Sequence, residues 1–189
     1  MERQGFSPPP GSLQQVYDRL FEAYGPQHWW PGDSRFEIIV GAVLTQNTAW
    51  TNVVKAINNL KAADKLSLAQ LRQLPVEELA DLIRPAGFFN IKAKRLRNLC
   101  DYLHAGGGVD AFESLPTKVF RAGLLGVNGV GPETADDILL YAYDRPVFAI
   151  DAYTRRIFSR LALASGKEDY EVLRGGFEQA LGPNVEQFS

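Results

Sequence analysis

The chain has 189 residues, 46% of them hydrophobic and 22% charged, enough for one domain or two small lobes around a sizeable core. Its single cysteine, Cys100, excludes an internal disulfide framework and any cluster held by four thiolates of this chain, and no apolar run approaches the roughly 18–20 residues of a membrane helix. The formal net charge of -2 counts against a nucleic-acid partner, because counterion release favours a basic footprint; the objection weakens if backbone amides hold phosphate or the positive charge is local.

Residues 1–10 contain three consecutive prolines and no hydrophobic signal core; they predict a loose arm and no secretory leader. Residues 11–189 are expected to form a single domain. From Ser12 the apolar spacing is mostly three to four, the helical period. Leu13, Val16, Tyr17, Leu20 and Phe21 share one face, as do Phe36, Ile39, Val40 and Val43, and then Val53, Val54, Ile57 and Leu60. Pro75 opens a further helix with Glu77 and Glu78 in its first turn, where the helix dipole favours them. Gly87 is expected to close it, and a basic helix runs on to about His104. That helix carries Lys92, Lys94, Arg95 and Arg97, and Arg155, Arg156 and Arg160 make a second basic group; the plain alternative for both is a solvated helix face. Ala105 to Gly108 is a linker. Asp144-Arg145-Pro146 ends another helix, since proline resists continuing one. Only Val147 to Ile150 suggests extended backbone, too short for a sheet. The pattern predicts an all-α protein of about ten helices.

The stretch from Leu124 to Ala135 is the most informative. Helical pattern gives way to a tight turn, Asn128-Gly129-Val130-Gly131, and then to a second helix opened by Pro132. Glycine at 129 and 131 permits positive φ and close approach of another backbone. Val130 can turn inward and pin the turn to the core. The amides of Gly129 to Gly131 would then point outward as a neutral phosphate cradle, which grips a nucleic-acid backbone without reading sequence. The alternative is an ordinary helix cap. Carbonyls of Val127 and Val130 could also hold a monovalent cation. Some 20 residues on, the apolar run Val147-Phe148-Ala149-Ile150 delivers Asp151 to the start of a helix. A carboxylate there is an ordinary N-cap, yet capping also fixes it in place and keeps it ionised.

Hairpin, helix, apolar run and aspartate together resemble the helix-hairpin-helix DNA glycosylases typified by endonuclease III, from about Gln14 to Leu163. Gly41 to Thr48 is similar to that family's early helix and glutamine turn, and Gly87 to Ala93 to its second DNA-inserting turn. The resemblance implies two helical lobes with a cleft between them. It makes Asp151 the catalytic aspartate, Gln46 the side chain that fills the gap left by a flipped nucleotide, and Phe88 the wedge on the opposite strand. An inserted side chain offsets part of the few kcal/mol that flipping costs. A core role for Phe88, and a cap or core-amide role for Gln46, are the alternatives. Lys92 joins the expected DNA contacts with Asn128, Gly129, Val130 and Gly131.

Two departures from the family narrow the chemistry. Bifunctional members carry a lysine just before Thr-Ala in the second hairpin helix, and here Glu133 stands there. A carboxylate cannot form a Schiff base, so hydrolysis without strand cleavage is expected. The usual iron–sulfur cluster has no cysteines to hold it, so no cofactor is expected. A shorter branch without the cluster, the 3-methyladenine glycosylases, is similar in His28-Trp29-Trp30-Pro31-Gly32, where the Trp-Trp-Pro turn implies a base pocket of Trp29, Trp30 and Pro31. One tryptophan is expected in the core and one against the base. That branch normally extends to a C-terminal helix at the pocket, which this chain is expected to lack. The expected function is a monofunctional glycosylase for alkylated purines, with oxidised- or mismatched-base glycosylases and a non-catalytic DNA-binding module as rivals. The expected partner is double-stranded DNA, and a cytoplasmic, nucleoid-associated monomer is expected.

Overall fold

The computed structural model describes residues 6, 8–27 and 29–188. Among these the chain is all-α: helices α1 (Ser12–Tyr24), α2 (Arg35–Leu44), α3 (Trp50–Ala62), α4 (Leu68–Gln73), α5 (Val76–Leu82), α6 (Phe89–Ala105), α7 (Thr117–Leu125), α8 (Pro132–Asp137), α9 (Ala152–Arg160), α10 (Tyr170–Leu181) and α11 (Val185–Phe188), and no strand. No helix is long and apolar enough to cross a membrane. The chain divides into a central unit, Trp30–Tyr143, and a terminal unit built from Met1–Trp29 and Asp144–Ser189.

The central unit is organised around α2. Ser34 caps it, its side chain accepting the Glu37 amide. Phe36, Ile39, Val40, Gly41, Ala42, Val43 and Leu44 are all buried, so the helix is apolar around most of its circumference, as a helix surrounded by others must be. The Gly87 region differs from expectation. The helix begun at Pro75 ends at Leu82, and a short 3-10 turn, Arg84–Ala86, bridges to Gly87 at φ 66°. After α8 the chain widens into one π-helical stretch, Ile138–Ala142.

A buried ion pair joins the two helices of the hairpin. Arg121 on α7 donates from Nε to Asp136 Oδ1 at 2.6 Å and from Nη2 to Oδ2 at 2.9 Å, and Asp136 on α8 is fully buried. Such pairing is what keeps a carboxylate tolerable in an apolar interior.

The terminal unit has its own core of Leu13, Ile150, Leu173 and Phe177, with Phe6, Phe148 and Phe158 packed against it. Among the described residues of the N-terminal arm, the Phe6 ring stacks on Phe177 at 5.2 Å. Val147 to Ile150 forms no strand, but it is tied down: the Phe148 amide donates to Glu178 Oε1 at 3.1 Å and the Ile150 amide to the Tyr170 hydroxyl at 3.2 Å.

Candidate nucleic-acid interface and active site

The hairpin turn lies between α7 and α8. Val127 and Val130 are both buried, so Val130 pins the turn to the core. Its amide is not turned outward, because it donates to the Val127 carbonyl at 3.0 Å. The amides of Gly129 and Gly131 have no acceptor among the described residues. Gly129 sits at φ 100°, and a Cβ there would lie 2.2 Å from Cγ of Arg95. Conformation and closeness both demand glycine. Asn128 is exposed, and its carbonyl accepts from Asn98 Nδ2 at 3.0 Å.

Gln46 follows α2 and is neither a helix cap nor a buried core amide. Its Nε2 donates to the Gly129 carbonyl at 3.1 Å and to Thr134 Oγ1 at 2.9 Å, while its Oε1 accepts from Arg95 Nη1. The structure therefore brings Gln46 and the hairpin turn together. Phe88 is 63% exposed, which removes the core alternative. It also holds left-handed backbone, φ 44° and ψ 31°, at the start of α6. For a bulky residue that costs about 1–2 kcal/mol, and an exposed aromatic ring in a strained turn is a functional pointer rather than a packing solution.

Lys92 corrects the sequence expectation. It is 1% exposed and touches no solvent-facing surface that DNA could reach. Its Nζ donates to the carbonyls of Leu44 and Ala86, each at 2.8 Å, and to Thr48 Oγ1 at 2.6 Å. Burial, with help from the charge of Arg95, pushes the ammonium down to about 8. The rest of the basic run is no open face either: Arg95 holds Gln46, Arg97 donates to the Leu74 carbonyl, and Lys94 is the exposed member. In the second group Arg155 donates to the Gly166 and Glu168 carbonyls, while Arg156, lying 4.7 Å over the Tyr153 ring, and Arg160 are exposed.

The two tryptophans differ in burial, Trp30 at 9% exposed and Trp29 at 49%, and it is the buried Trp30, with Pro31, and not Trp29 that lines the cavity described next. His28, part of the same motif, lies outside the described residues. Trp30 stacks on Tyr141 at 4.9 Å and meets Trp50 edge-on at 5.4 Å. Trp30, Pro31, Gly41 and Trp50 wall a cavity of about 220 Å³ whose rim carries Asp33, Glu37 and Lys61. Lys61 Nζ bridges Asp33 Oδ2 at 2.7 Å and Glu37 Oε1 at 2.8 Å; those bonds hold the Asp33 carboxyl below its ordinary range and raise the Lys61 ammonium. Sequence reasoning missed Trp50, Tyr141, Glu37 and Lys61. Trp50 was within reach of it as the third tryptophan of a chain with only three, but nothing in its spacing marks it as a partner of Trp30.

Asp151 belongs to the terminal unit. It is the N-cap of α9, and its Oδ1 accepts the Thr154 amide at 2.6 Å. Its Oδ2 has no partner among the described residues, and the side chain is partly buried. Capping thus occupies one carboxylate oxygen, Oδ1, and leaves Oδ2 outside the cap. Ile150, 1% exposed, anchors the backbone immediately before it. Glu133 is exposed on the first turn of α8. Cys100, the one thiol, is buried within α6, and burial pushes it up to about 12; it cannot hold a cluster that requires four thiolates.

Hairpin, glutamine turn and capped aspartate define a helix-hairpin-helix protein of DNA repair. A model of the HhH-GPD superfamily base excision DNA repair proteins matches residues 40–183, and the chain belongs to that family, whose members are DNA glycosylases. It is 46% identical over 177 residues to a Methanocaldococcus jannaschii protein that carries the provisional name of DNA repair glycosylase, covering 92% of this chain and 80% of that one. Among solved structures it is similar to the 3-methyladenine DNA glycosylase of Helicobacter pylori bound to 1,N6-ethenoadenine, with a TM-score of 0.79 and 31% identity over 93% of this chain and 89% of that one. It is also 29% identical to Escherichia coli endonuclease III over 139 residues, 74% of this chain and 63% of that enzyme.

Proposed function

We propose that this chain is a monofunctional DNA glycosylase that hydrolyses the N-glycosidic bond of alkylated purines, 3-methyladenine among them, in double-stranded DNA. The observation that carries the substrate is the cavity beside Trp30. Its walls include the indoles of Trp30 and Trp50, and its lining sets two carboxylates, Asp33 and Glu37, against one ammonium, Lys61. A purine alkylated on a ring nitrogen is a flat cation. Electron-rich faces attract it by stacking and cation–π contact, and a rim of net negative charge favours it over a neutral base. The likeness to the H. pylori enzyme supports the same class.

Such a base is already a good leaving group and needs little general-acid help. As the bond breaks, positive charge grows on the sugar. Asp151 Oδ2 stabilises that charge and orients or deprotonates the attacking water. The unengaged amides of Gly129 and Gly131 hold a phosphate of the lesion strand. Gln46 enters the gap left by the flipped nucleotide, and Phe88 wedges the opposite strand. Glu133 stands where bifunctional relatives carry a lysine, so the abasic product stays uncut. No step needs a cofactor; a monovalent ion on the Val127 and Val130 carbonyls would stiffen the turn without entering the reaction. The protein is expected to act as a monomer, in the cytoplasm at the nucleoid.

Chromatography of the bases released from duplexes with single defined lesions tests the proposal. The expected result is free 3-methyladenine at a rate at least about tenfold above any oxidised pyrimidine or mismatched base, the discrimination that ~1.4 kcal/mol of preferential binding gives. Preferential release of oxidised pyrimidines would instead favour an endonuclease III-like specificity.

A further inference from the structure

Lys92 has no part in the chemistry above, yet its placement is too ordered for a stray buried charge. Its three acceptors belong to two segments far apart in sequence. Leu44 is the last residue of α2 and Ala86 the last of the 3-10 turn Arg84–Ala86, so both carbonyls are helix-end groups, where a cation is favoured. Gln46 lies two residues beyond Leu44, and Phe88 two residues beyond Ala86. Thr48 Oγ1, which also accepts from Lys92, itself donates to the Ala86 carbonyl at 2.5 Å, closing the link between the two turns. The Lys92 amide makes the regular first-turn helix bond to the Phe88 carbonyl at 3.0 Å, which sets the lysine one turn beyond Phe88 on α6.

We infer that Lys92 is a positioning residue that fixes the spacing between Gln46 and Phe88, so that both enter the duplex together when a nucleotide is displaced. This rests on the roles of Gln46 and Phe88 in the proposed function. An ammonium has three hydrogens for three oxygens, and the match is complete. A neutral amine offers two hydrogens and turns a lone pair toward the third oxygen, which loosens one turn from the other. Lys92 therefore works in its charged form, although burial depresses it to about 8. Arg95, one turn further along α6, is the charged group whose field acts on it. Of the other ionisable groups on the adjoining elements, Glu37 pairs with Lys61, Arg35 with Asp110 and Glu113, and Arg84 with Asp81, Arg97 donates to the Leu74 carbonyl, and Lys55, Glu77, Glu78 and Lys94 are exposed.

The linkage has a definite sign. The folded form of Lys92 binds its proton more weakly than the unfolded form, whose value is near 10.5. Fold stability attributable to Lys92 therefore rises as pH goes from about 8 to 10.5. Grip on the two turns falls over the start of the same range, so stability and damage recognition move in opposite directions. A purely structural role would not produce that divergence.

The test uses a duplex carrying a tetrahydrofuran abasic analogue, which has no base to release, and measures its affinity relative to the same duplex without the analogue. Gln46→Ala and Phe88→Asn calibrate the assay, each lowering the preference about tenfold at pH 7. Asparagine tolerates the left-handed backbone of residue 88. Lys92→Met is expected to lower the preference at least as far as either, with undamaged-duplex affinity unchanged. The wild-type preference is expected to fall several-fold from pH 7 to 9, and that of Lys92→Met to stay flat. If Lys92→Met does not melt cooperatively, Thr48→Val, which removes the shared hydroxyl and keeps the lysine, is expected to show a smaller loss in the same direction. Lys92→Met with wild-type preference, or a parallel loss of both affinities, overturns the inference. So does a flat wild-type pH profile. If Gln46→Ala and Phe88→Asn themselves change nothing, the failure lies in the roles given to those two side chains, and the inference falls with them.

Discussion

Asp151→Asn is expected to slow single-turnover base release by 10²–10⁴-fold, the usual worth of a positioned acid–base group, and to leave the fold almost unchanged. The reason lies in how the two oxygens are divided. Oδ1 accepts the Thr154 amide, and an asparagine carbonyl caps a helix about as well as a carboxylate. What the variant removes is the negative charge at Oδ2, which in the proposed mechanism stabilises the developing cation on the sugar. Cap and catalyst are thereby separated in one substitution. A variant that melts like the wild type and releases base at the wild-type rate would reduce Asp151 to a cap and overturn the mechanism given to it.

Arg121→Met is expected to destabilise the protein by about 3–5 kcal/mol, the cost of removing one partner of a buried ion pair. Asp136 is fully buried, and both of its oxygens accept from the Arg121 guanidinium. Methionine replaces the stem and takes away the charge, so the carboxylate keeps its desolvation cost without its bidentate partner. For a chain of this size, thermal denaturation should show the midpoint lowered by roughly 10 °C. Arg121→Met combined with Asp136→Leu should recover much of the loss, because replacing both charges by apolar side chains of similar volume is often close to neutral. The pair spans α7 and α8, so the single variant should also loosen the turn that presents Gly129 and Gly131, and weaken duplex binding.

The helical periodicity and the glycine turn were readable because both are local. A spacing of three to four residues sets which face of α2 or α3 is buried, and a turn that needs φ near 100° at Gly129 announces itself by residue type. The Asp151 cap was legible for the same reason, since an N-cap contacts an amide three residues away. Lys92 was not. Its acceptors lie 48, 44 and 6 residues away, and a lysine beside Lys94, Arg95 and Arg97 reads as part of a charged face until the ends of α2 and the Arg84–Ala86 turn are brought to it. The cavity around Trp30 was half legible: Trp30 and Pro31 of the Trp-Trp-Pro turn marked one wall, whereas Trp50 lines it through tertiary packing from 20 residues along the chain, and Tyr141, 111 residues on, backs the Trp30 ring. The inward course of the Val130 amide was missed because a glycine-flanked turn suggests a row of outward amides, and closure of the turn on Val127 is a matter of hydrogen-bond geometry that residue types do not fix.

The most direct measurement follows the abasic strand after the base has left. Wild-type protein is incubated with a 3-methyladenine duplex in two parallel reactions, one with borohydride to trap any protein–DNA adduct and one without it, whose strands are resolved with and without alkali. Hydrolysis assisted by Asp151, with Glu133 in place of an amine, predicts full-length strand that breaks only on alkali treatment and no protein–DNA adduct. A borohydride-trapped adduct, or breakage without alkali, would mean that an amine of this protein attacks the sugar and would contradict the account.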